Sequence, residues 1–560
     1  MTMTGGDALA QALVQEGVEV VFGVPGVQLD WLTDALRKQA NAIRFVVARH
    51  EQATSYMADG YARASGRPGV CLVVPGPGLL NAMAGLSTAY ACNSPVLCIA
   101  GDIHSSARGK GLGLLHEVRD QTGILASVTK RQGRAERPED VPGAVHEAFT
   151  ALRTGRPQPV GLEVAHDVLA SRAEMPDVQA DHREARVALP SEAISAAADM
   201  LATARQPVIY VGGGALASRC GEALAALAER LQAPVIMGEN GRGAMSDRHP
   251  LALSSLDGRA VMPHADVVLV VGSRFVDTTM GRPSWPSDAA RYIFVNLEPA
   301  AWASPRRADV AIEADCGLAL EALGRAIPQR PPLDIDLGAV RAWSAEQMRP
   351  IEPQGSWLRA LRSAIPDDGI LVHELTQVGY FARVAYPVYG PNTFIGPGYQ
   401  GTLGFGFPTA LGAAIGAPGR MVVSINGDGG FGWNMQELAT ARRYDIPVAI
   451  VVFNDGHFGN VRKLQEDQFG ESYGAELTNP RFDRLASAFD IPYRRTDAPE
   501  ELETALRDHV GRSGPTLIEA RVGRMPSPWH LLRLIPPPFA SGMPVPPNPL
   551  GEPIRTGMAS

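Results

Sequence analysis

Ile425-Asn426-Gly427-Asp428-Gly429-Gly430 closes an apolar run that starts at Met421 and reads as a β-strand. A second such run, Val448 to Phe453, ends in Asn454-Asp455-Gly456. Two strand ends that each offer a carboxylate or an amide can share one hard cation. Mg²⁺ takes oxygen ligands, phosphate oxygens among them. The glycines let backbone N–H groups approach a diphosphate, and a helix expected over Gly432 to Arg443 adds its N-terminal dipole. A plain turn after a strand would explain Gly-Asp-Gly alone; the second strand end weighs against it.

The same rhythm runs outward in both directions. On the C-terminal side of the chain, Ile370 to Val372 and Thr516 to Ala520 read as further strands. Upstream, Pro207 to Val211, Pro234 to Met237, Val267 to Val271 and Tyr292 to Leu297 form a second set. Val18 to Phe22, Ile43 to Ala48, Val70 to Val74 and Pro95 to Ala100 form a third. Thr4 to Gly17 reads as an amphipathic helix after a threonine cap, and another helix starts at Glu51. Strands spaced by helical patterns imply parallel α/β sheets. Two stretches lack apolar periodicity, Ser171 to Pro190 and Ile327 to Gly355, and are expected to be irregular. The expected units are therefore 1–170, 190–326 and 356–525, followed by a Pro-rich tail over 526–560 that lies on the surface or is partly disordered.

Composition narrows the function. The 560 residues are 45% hydrophobic and 20% charged, with net charge −8, as in ordinary globular proteins. No basic block stands out, which argues against nucleic acid as a partner. Only four lysines occur, Lys38, Lys110, Lys130 and Lys463, so Schiff-base chemistry is not favoured. The five cysteines are an odd number without a C-x-x-C pair, against a disulfide framework or a zinc ribbon. Met1 to Asp7 has no basic leader, and no apolar run nears 18 residues. The expectation is a cytoplasmic protein with no membrane partner.

The motifs, taken together, resemble those of the acetolactate synthase and benzoylformate decarboxylase superfamily of thiamine diphosphate enzymes. The resemblance runs from Thr4 to about Val522. It includes Phe22-Gly23-Val24-Pro25-Gly26, Arg49-His50-Glu51-Gln52, Asp59-Gly60-Tyr61-Ala62-Arg63 and Gly401-Thr402-Leu403-Gly404-Phe405-Gly406. It implies three parallel-sheet α/β domains: pyrimidine-binding, central Rossmann-like and diphosphate-binding. It also implies a homodimer or homotetramer with active sites between subunits, and a 2-oxo acid or another carbonyl compound as substrate.

Residue by residue, the resemblance implies that Glu51 hydrogen-bonds the cofactor's aminopyrimidine and promotes loss of the thiazolium C2 proton. Leu403 would prop the cofactor in its bent shape, and the Gly401 carbonyl would accept from its amino group. Thr376 and Gln377 would touch the diphosphate, alongside Gly427, Gly429 and Gly430. Asp428 would ligate the metal. Aligning Gly459 with the family's glycine puts Asp455 second and the His457 carbonyl third, with Asn454 open as the alternative to Asp455. His116, where acetolactate synthases usually carry Gln, would face the substrate. Gln28 and Pro25 are further candidates near the substrate and cofactor.

Two departures bear on the reaction. Thr278 stands where acetolactate synthases usually carry an Arg, and Leu464 where they carry a Trp. Both favour a different acceptor or simple decarboxylation over strict acetolactate synthesis. Benzaldehyde lyase-like, cyclic-diketone-cleaving and 2-hydroxyacyl-CoA lyase-like reactions stay open. Gly212-x-Gly214-x-x-Ala217, with Glu239 near the acidic position, mimics a dinucleotide fingerprint. An FAD- or NAD-dependent oxidoreductase, or a structural FAD, is the weaker expectation because the thiamine motifs lie outside that unit.

Overall fold

Three six-stranded sheets, parallel throughout, organise the chain. The computed structural model describes residues 1–178, 180, 188–276, 287, 289–302, 306–532 and 546–552. The N-terminal sheet runs, edge to edge, Arg44–Val47, Val20–Gly23, Gly69–Val73, Val96–Asp102, Val160–Ala165 and Arg131–Ala135. In the central sheet the order is Ala252–Leu253, Val235–Met237, Pro207–Val211, Val267–Val271, Arg291–Asn296 and Val310–Glu313. The C-terminal sheet runs Phe394–Ile395, Ile370–His373, Val422–Gly427, Val448–Asn454, Thr516–Arg521 and Tyr493–Thr496. Inner strands such as Val267–Val271 are buried on both faces, which is why they read as unbroken apolar runs.

The stretch expected to be irregular, Ile327 to Gly355, contains the helix Leu337–Met348. Its apolar side chains do not repeat at helical spacing, but Asp336 caps it by accepting from the Ala339 amide at 2.9 Å. At the other expected linker, Arg172–Glu174 pairs antiparallel with Thr2–Thr4. Residues 181–187 lie outside the described ones. The tail lies against the body where it is described. Trp529 Nε1 donates to Asn460 Oδ1 at 2.6 Å, and Asn548 donates to the Ala260 carbonyl at 3.0 Å.

The first and third domains share one core. Helix Glu51–Ser65 crosses helix Gly406–Gly416 so closely that a Cβ at Gly412 would overlap the Met57 carbonyl. A Cβ at Gly60 would likewise overlap that of Thr409. Phe405, Phe407 and Leu411 from one domain join Tyr56, Met57 and Tyr61 from the other in a single buried cluster.

The outer edge of the N-terminal sheet is covered by the C-terminal domain. Val47 donates its amide to the Tyr444 hydroxyl at 2.9 Å. Just past the strand, the Arg49 and His50 amides donate to the buried Glu437 carboxylate at 3.1 and 3.0 Å.

Candidate functional site

In the C-terminal sheet the strand order reverses direction between Ile370–His373 and Val422–Gly427. Open α/β sheets bind ligands in the crevice beyond the strand ends at such a point. A cavity of about 250 Å³ lies there. It is lined by Thr376 and Gln377 from the first strand end and by Gly427, Asp428, Gly429 and Gly430 from the second. Asp455 and His457 follow the third strand, and Gly401 and Leu403 come from the glycine-rich loop.

Thr376 caps helix Gln377–Ala385 by accepting from the Gly379 amide at 2.9 Å. This aims the helix's N-terminal N–H groups into the crevice. The second helix starts at Asp428 rather than at Gly432, and runs to Asn434. Its early start makes Gly429 and Gly430 first-turn residues. Both glycines are crowded by neighbouring side chains. A Cβ at Gly429 would come 2.5 Å from the Phe458 ring, and one at Gly430 would overlap the Glu374 carboxylate. Gly427 is not crowded in this way; the nearest atom to a Cβ there is a Thr376 methyl at 3.6 Å.

Asp428 is 3% exposed. It accepts from the Gly456 amide at 2.9 Å and from Asn479 Nδ2 at 2.6 Å. Burial, and then the nearby Asp455, push its carboxyl up to about 6. Burial also raises Asp455, which accepts from the His457 amide at 3.1 Å. Asn454 turns away from the cavity. Its Nδ2 donates to Glu519 at 2.7 Å, and its Oδ1 accepts from Asn479 at 3.2 Å. The His457 ring folds back and donates from Nδ1 to the Asp455 carbonyl at 2.8 Å. Among the described residues no three His, Cys, Asp or Glu side chains converge. A cation here would draw on the two acids and on backbone, amide or ligand oxygens. Gln377 Oε1 is buried without a partner, an acceptor left open toward a donor or a cation.

Glu51, Gln28, His116 and Pro25 do not line this cavity; they lie in the N-terminal domain. Glu51 opens its helix behind the His50 cap, whose Nδ1 accepts from the Gln52 amide at 3.1 Å. Its Oε2 accepts from Asn81 at 3.0 Å. His116 Nδ1 donates to Gln28 Oε1 at 3.2 Å, while Gln28 Nε2 donates to the Leu115 carbonyl at 3.3 Å. The His116 backbone is left-handed, with φ 69°. Gly76, at φ 57°, lets the His116 carbonyl approach where a Cβ would collide. A Cβ at Gly78 would touch Glu51 Oε1 at 3.4 Å. The turn Gly76–Gly78 therefore lies between Glu51 and the His116 loop. Pro25 is exposed after its strand.

Sequence reasoning missed Glu374, Asn479 and Glu437. Glu374 is buried, and its Oε1 accepts from the Gly404 amide at 2.5 Å. Burial pushes its carboxyl up to about 8, against the lowering effect of the Gly404, Phe405 and Gly406 amides. No motif marks these three residues; each acts through a neighbour distant in sequence.

Three family models match successive parts of the chain. The thiamine pyrophosphate enzyme N-terminal binding domain covers residues 3–124, the central domain 194–323 and the C-terminal binding domain 375–520. The chain belongs to the thiamine pyrophosphate enzyme family. It is 37% identical over 534 residues to a probable 2-ketoarginine decarboxylase of Pseudomonas aeruginosa, covering 93% of this chain and 94% of the relative. It is 32% identical to the acetolactate synthase isozyme 3 large subunit of Escherichia coli, covering 90% and 92%. A probable acetolactate synthase large subunit of Methanocaldococcus jannaschii matches at 31%, over 96% and 94%.

As a thiamine pyrophosphate enzyme it carries the three parallel α/β domains expected of the family. The dinucleotide-like Gly212 and Gly214 are occupied with packing. A Cβ at Gly212 would lie 2.6 Å from the Gly272 carbonyl oxygen, and one at Gly214 2.7 Å from Gly272 Cα. Glu239 pairs with Arg383 of the C-terminal domain at 3.2 Å. Thr278 lies outside the described residues. Leu464 sits on helix Gly459–Phe469. Among the described residues no helix is long and apolar enough to cross a membrane.

Proposed function

We propose that this enzyme uses thiamine diphosphate and Mg²⁺ to decarboxylate a 2-oxo acid. The observation that carries the reading is the pair of raised carboxylates, Asp428 and Asp455, facing a glycine-lined crevice where helices at Gln377 and Asp428 begin. A divalent cation held there would offset the repulsion between the two acids and part of a diphosphate's charge. When bound, thiamine diphosphate would supply a nucleophilic carbon and, in its thiazolium ring, an electron sink for decarboxylation.

The chain's own residues do the rest. Asp428, Asp455 and the His457 carbonyl hold the metal. Thr376, Gln377 and the N–H groups of Gly429 and Gly430 bind the diphosphate. Leu403 and the Gly401 carbonyl orient the cofactor. Asn81 holds Oε2 of Glu51, so Oε1 exchanges the proton. His116, its ring fixed by Gln28, presents Nε2 to the substrate. Glu51 and His116 stand apart from the crevice of their own chain, which supports a homodimer, or a homotetramer built from such dimers, whose sites form between subunits.

The decarboxylase relative favours a long cationic 2-oxo acid; the synthase relatives favour pyruvate with carboligation. Product analysis by mass spectrometry, with either pyruvate or 2-ketoarginine added to the protein, thiamine diphosphate and Mg²⁺, separates them. CO₂ and an aldehyde are expected. Acetolactate from pyruvate would shift the reading to carboligation despite Thr278 and Leu464. Glu51→Gln is expected to remove most turnover while keeping cofactor affinity; undiminished turnover would overturn its role.

A further inference from the structure

Glu437 is fully buried, and apart from Thr440 of its own domain its partners are backbone donors of another domain. Its two carboxylate oxygens both accept from the Arg49 amide at 3.1 Å, and Oε1 also accepts from His50 at 3.0 Å. Thr440 Oγ1 donates to Oε2 at 2.5 Å. Arg49 and His50 are the two residues immediately before Glu51, where strand turns into helix. His50 is the cap residue of that helix, and Arg49 lies one residue outside it. Glu437 itself ends the run that begins at Asp428, through helix Asp428–Asn434 and the turn Met435–Glu437. Midway, Asn434 Nδ2 donates to the Gly404 carbonyl at 2.7 Å. One short segment thus touches the metal acid, the glycine-rich loop and the elbow of Glu51.

We infer that Glu437 is a positioning residue for Glu51, acting within one chain from the diphosphate-binding domain onto the pyrimidine-binding domain. The inference rests on the proposed reading in which Glu51 serves a partner's crevice. The segment that carries one centre's metal acid then also aims the acid delivered to the neighbouring centre. A charge-assisted pair of bonds holds the Glu51 backbone in place, and a small misplacement of a reacting group lowers turnover steeply.

Hybrid enzymes made from two differently tagged full-length chains test this. One chain carries Glu51→Gln, the other Asp428→Ala. If sites are shared, the hybrid has one intact site, using Glu51 from the Asp428→Ala chain and Asp428 from the other. Glu437→Gln is then added to either chain. Placed on the Asp428→Ala chain, it is expected to lower kcat about tenfold more than on the other chain. An equal or reversed effect overturns the inference. An inactive parent hybrid overturns the shared-site reading instead. In that case amide hydrogen exchange of the cofactor-free protein still decides Glu437. Faster exchange over residues 44–52 in Glu437→Gln supports its positioning role, and unchanged exchange overturns it. Thr440→Val, which strips one donor from Glu437 without changing its charge, repeats both arms if the glutamine variant does not fold.

Discussion

Asn479 donates its side-chain amide to Asp428 at 2.6 Å from a loop 51 residues further along the chain. The same amide reaches Asn454 Oδ1 at 3.2 Å, so one side chain ties the ends of strands Val422–Gly427 and Val448–Asn454 together. Hydrogen bonds to a charged group contribute about 1.5–3 kcal/mol. Asn479→Ala is therefore expected to weaken binding of thiamine diphosphate with Mg²⁺ by roughly tenfold or more. Calorimetric titration of the cofactor-free protein measures it; native affinity would show that Asp428 holds its place unaided.

Glu374 gives a pH signature to the stability of the cofactor-free protein. Unfolded, its carboxyl titrates near 4.5; folded, near 8. As pH rises from 4.5 the unfolded form ionises while the folded form keeps its proton. Stability therefore falls by at most about 1.4 kcal/mol per pH unit, and the loss is complete above pH 8. Glu374→Gln cannot ionise, and is expected to flatten the fall of Tm over that window. An unchanged slope would mean that the buried carboxyl is already charged.

Two glycine-to-alanine changes are expected to act in opposite directions. At Gly412 the new methyl meets the Met57 backbone of another domain, and overpacking of this kind costs about 1–3 kcal/mol. At Gly324, inside helix Cys316–Ala326, a Cβ meets nothing within 4 Å. There the change is expected to stabilise by about 0.5–1 kcal/mol. Thermal denaturation of both variants against the native chain checks the pair of signs.

His116 and Gln28 are expected to behave as one unit. His116→Ala should lower kcat/KM about a hundredfold, the low end of what a general acid–base group contributes, while cofactor affinity stays native. Because Gln28 acts by holding the imidazole, adding Gln28→Ala to His116→Ala should lower kcat/KM little further. A fully additive double variant would separate the two residues.

For most strands legibility in the sequence follows place in the sheet, although the outer strand Arg44–Val47 is read too, within the apolar stretch Ile43 to Ala48. Pro207–Val211 and Val267–Val271, inner strands buried on both sides, fall where their apolar runs predict. Arg131–Ala135, Val310–Glu313 and Tyr493–Thr496 went unread because each is an outer strand; polar side chains are tolerated there and the run is broken. Val160–Ala165 was hidden for another reason. It is an inner strand, but Glu163 interrupts it, held at 1% exposure by Arg134 at 2.8 Å and Gln121 at 3.1 Å. At the candidate site, the glycines and acids at strand ends carried their signal locally. Glu374, Glu437 and Asn479 did not, since each draws its meaning from a partner brought near only by folding.

The outer strand Arg44–Val47 finds its cover almost 400 residues later, in Tyr444. During synthesis the N-terminal domain must leave the ribosome with that edge bare, and a bare parallel edge invites pairing with other chains. Production of the isolated 1–170 fragment should accordingly yield self-associating material.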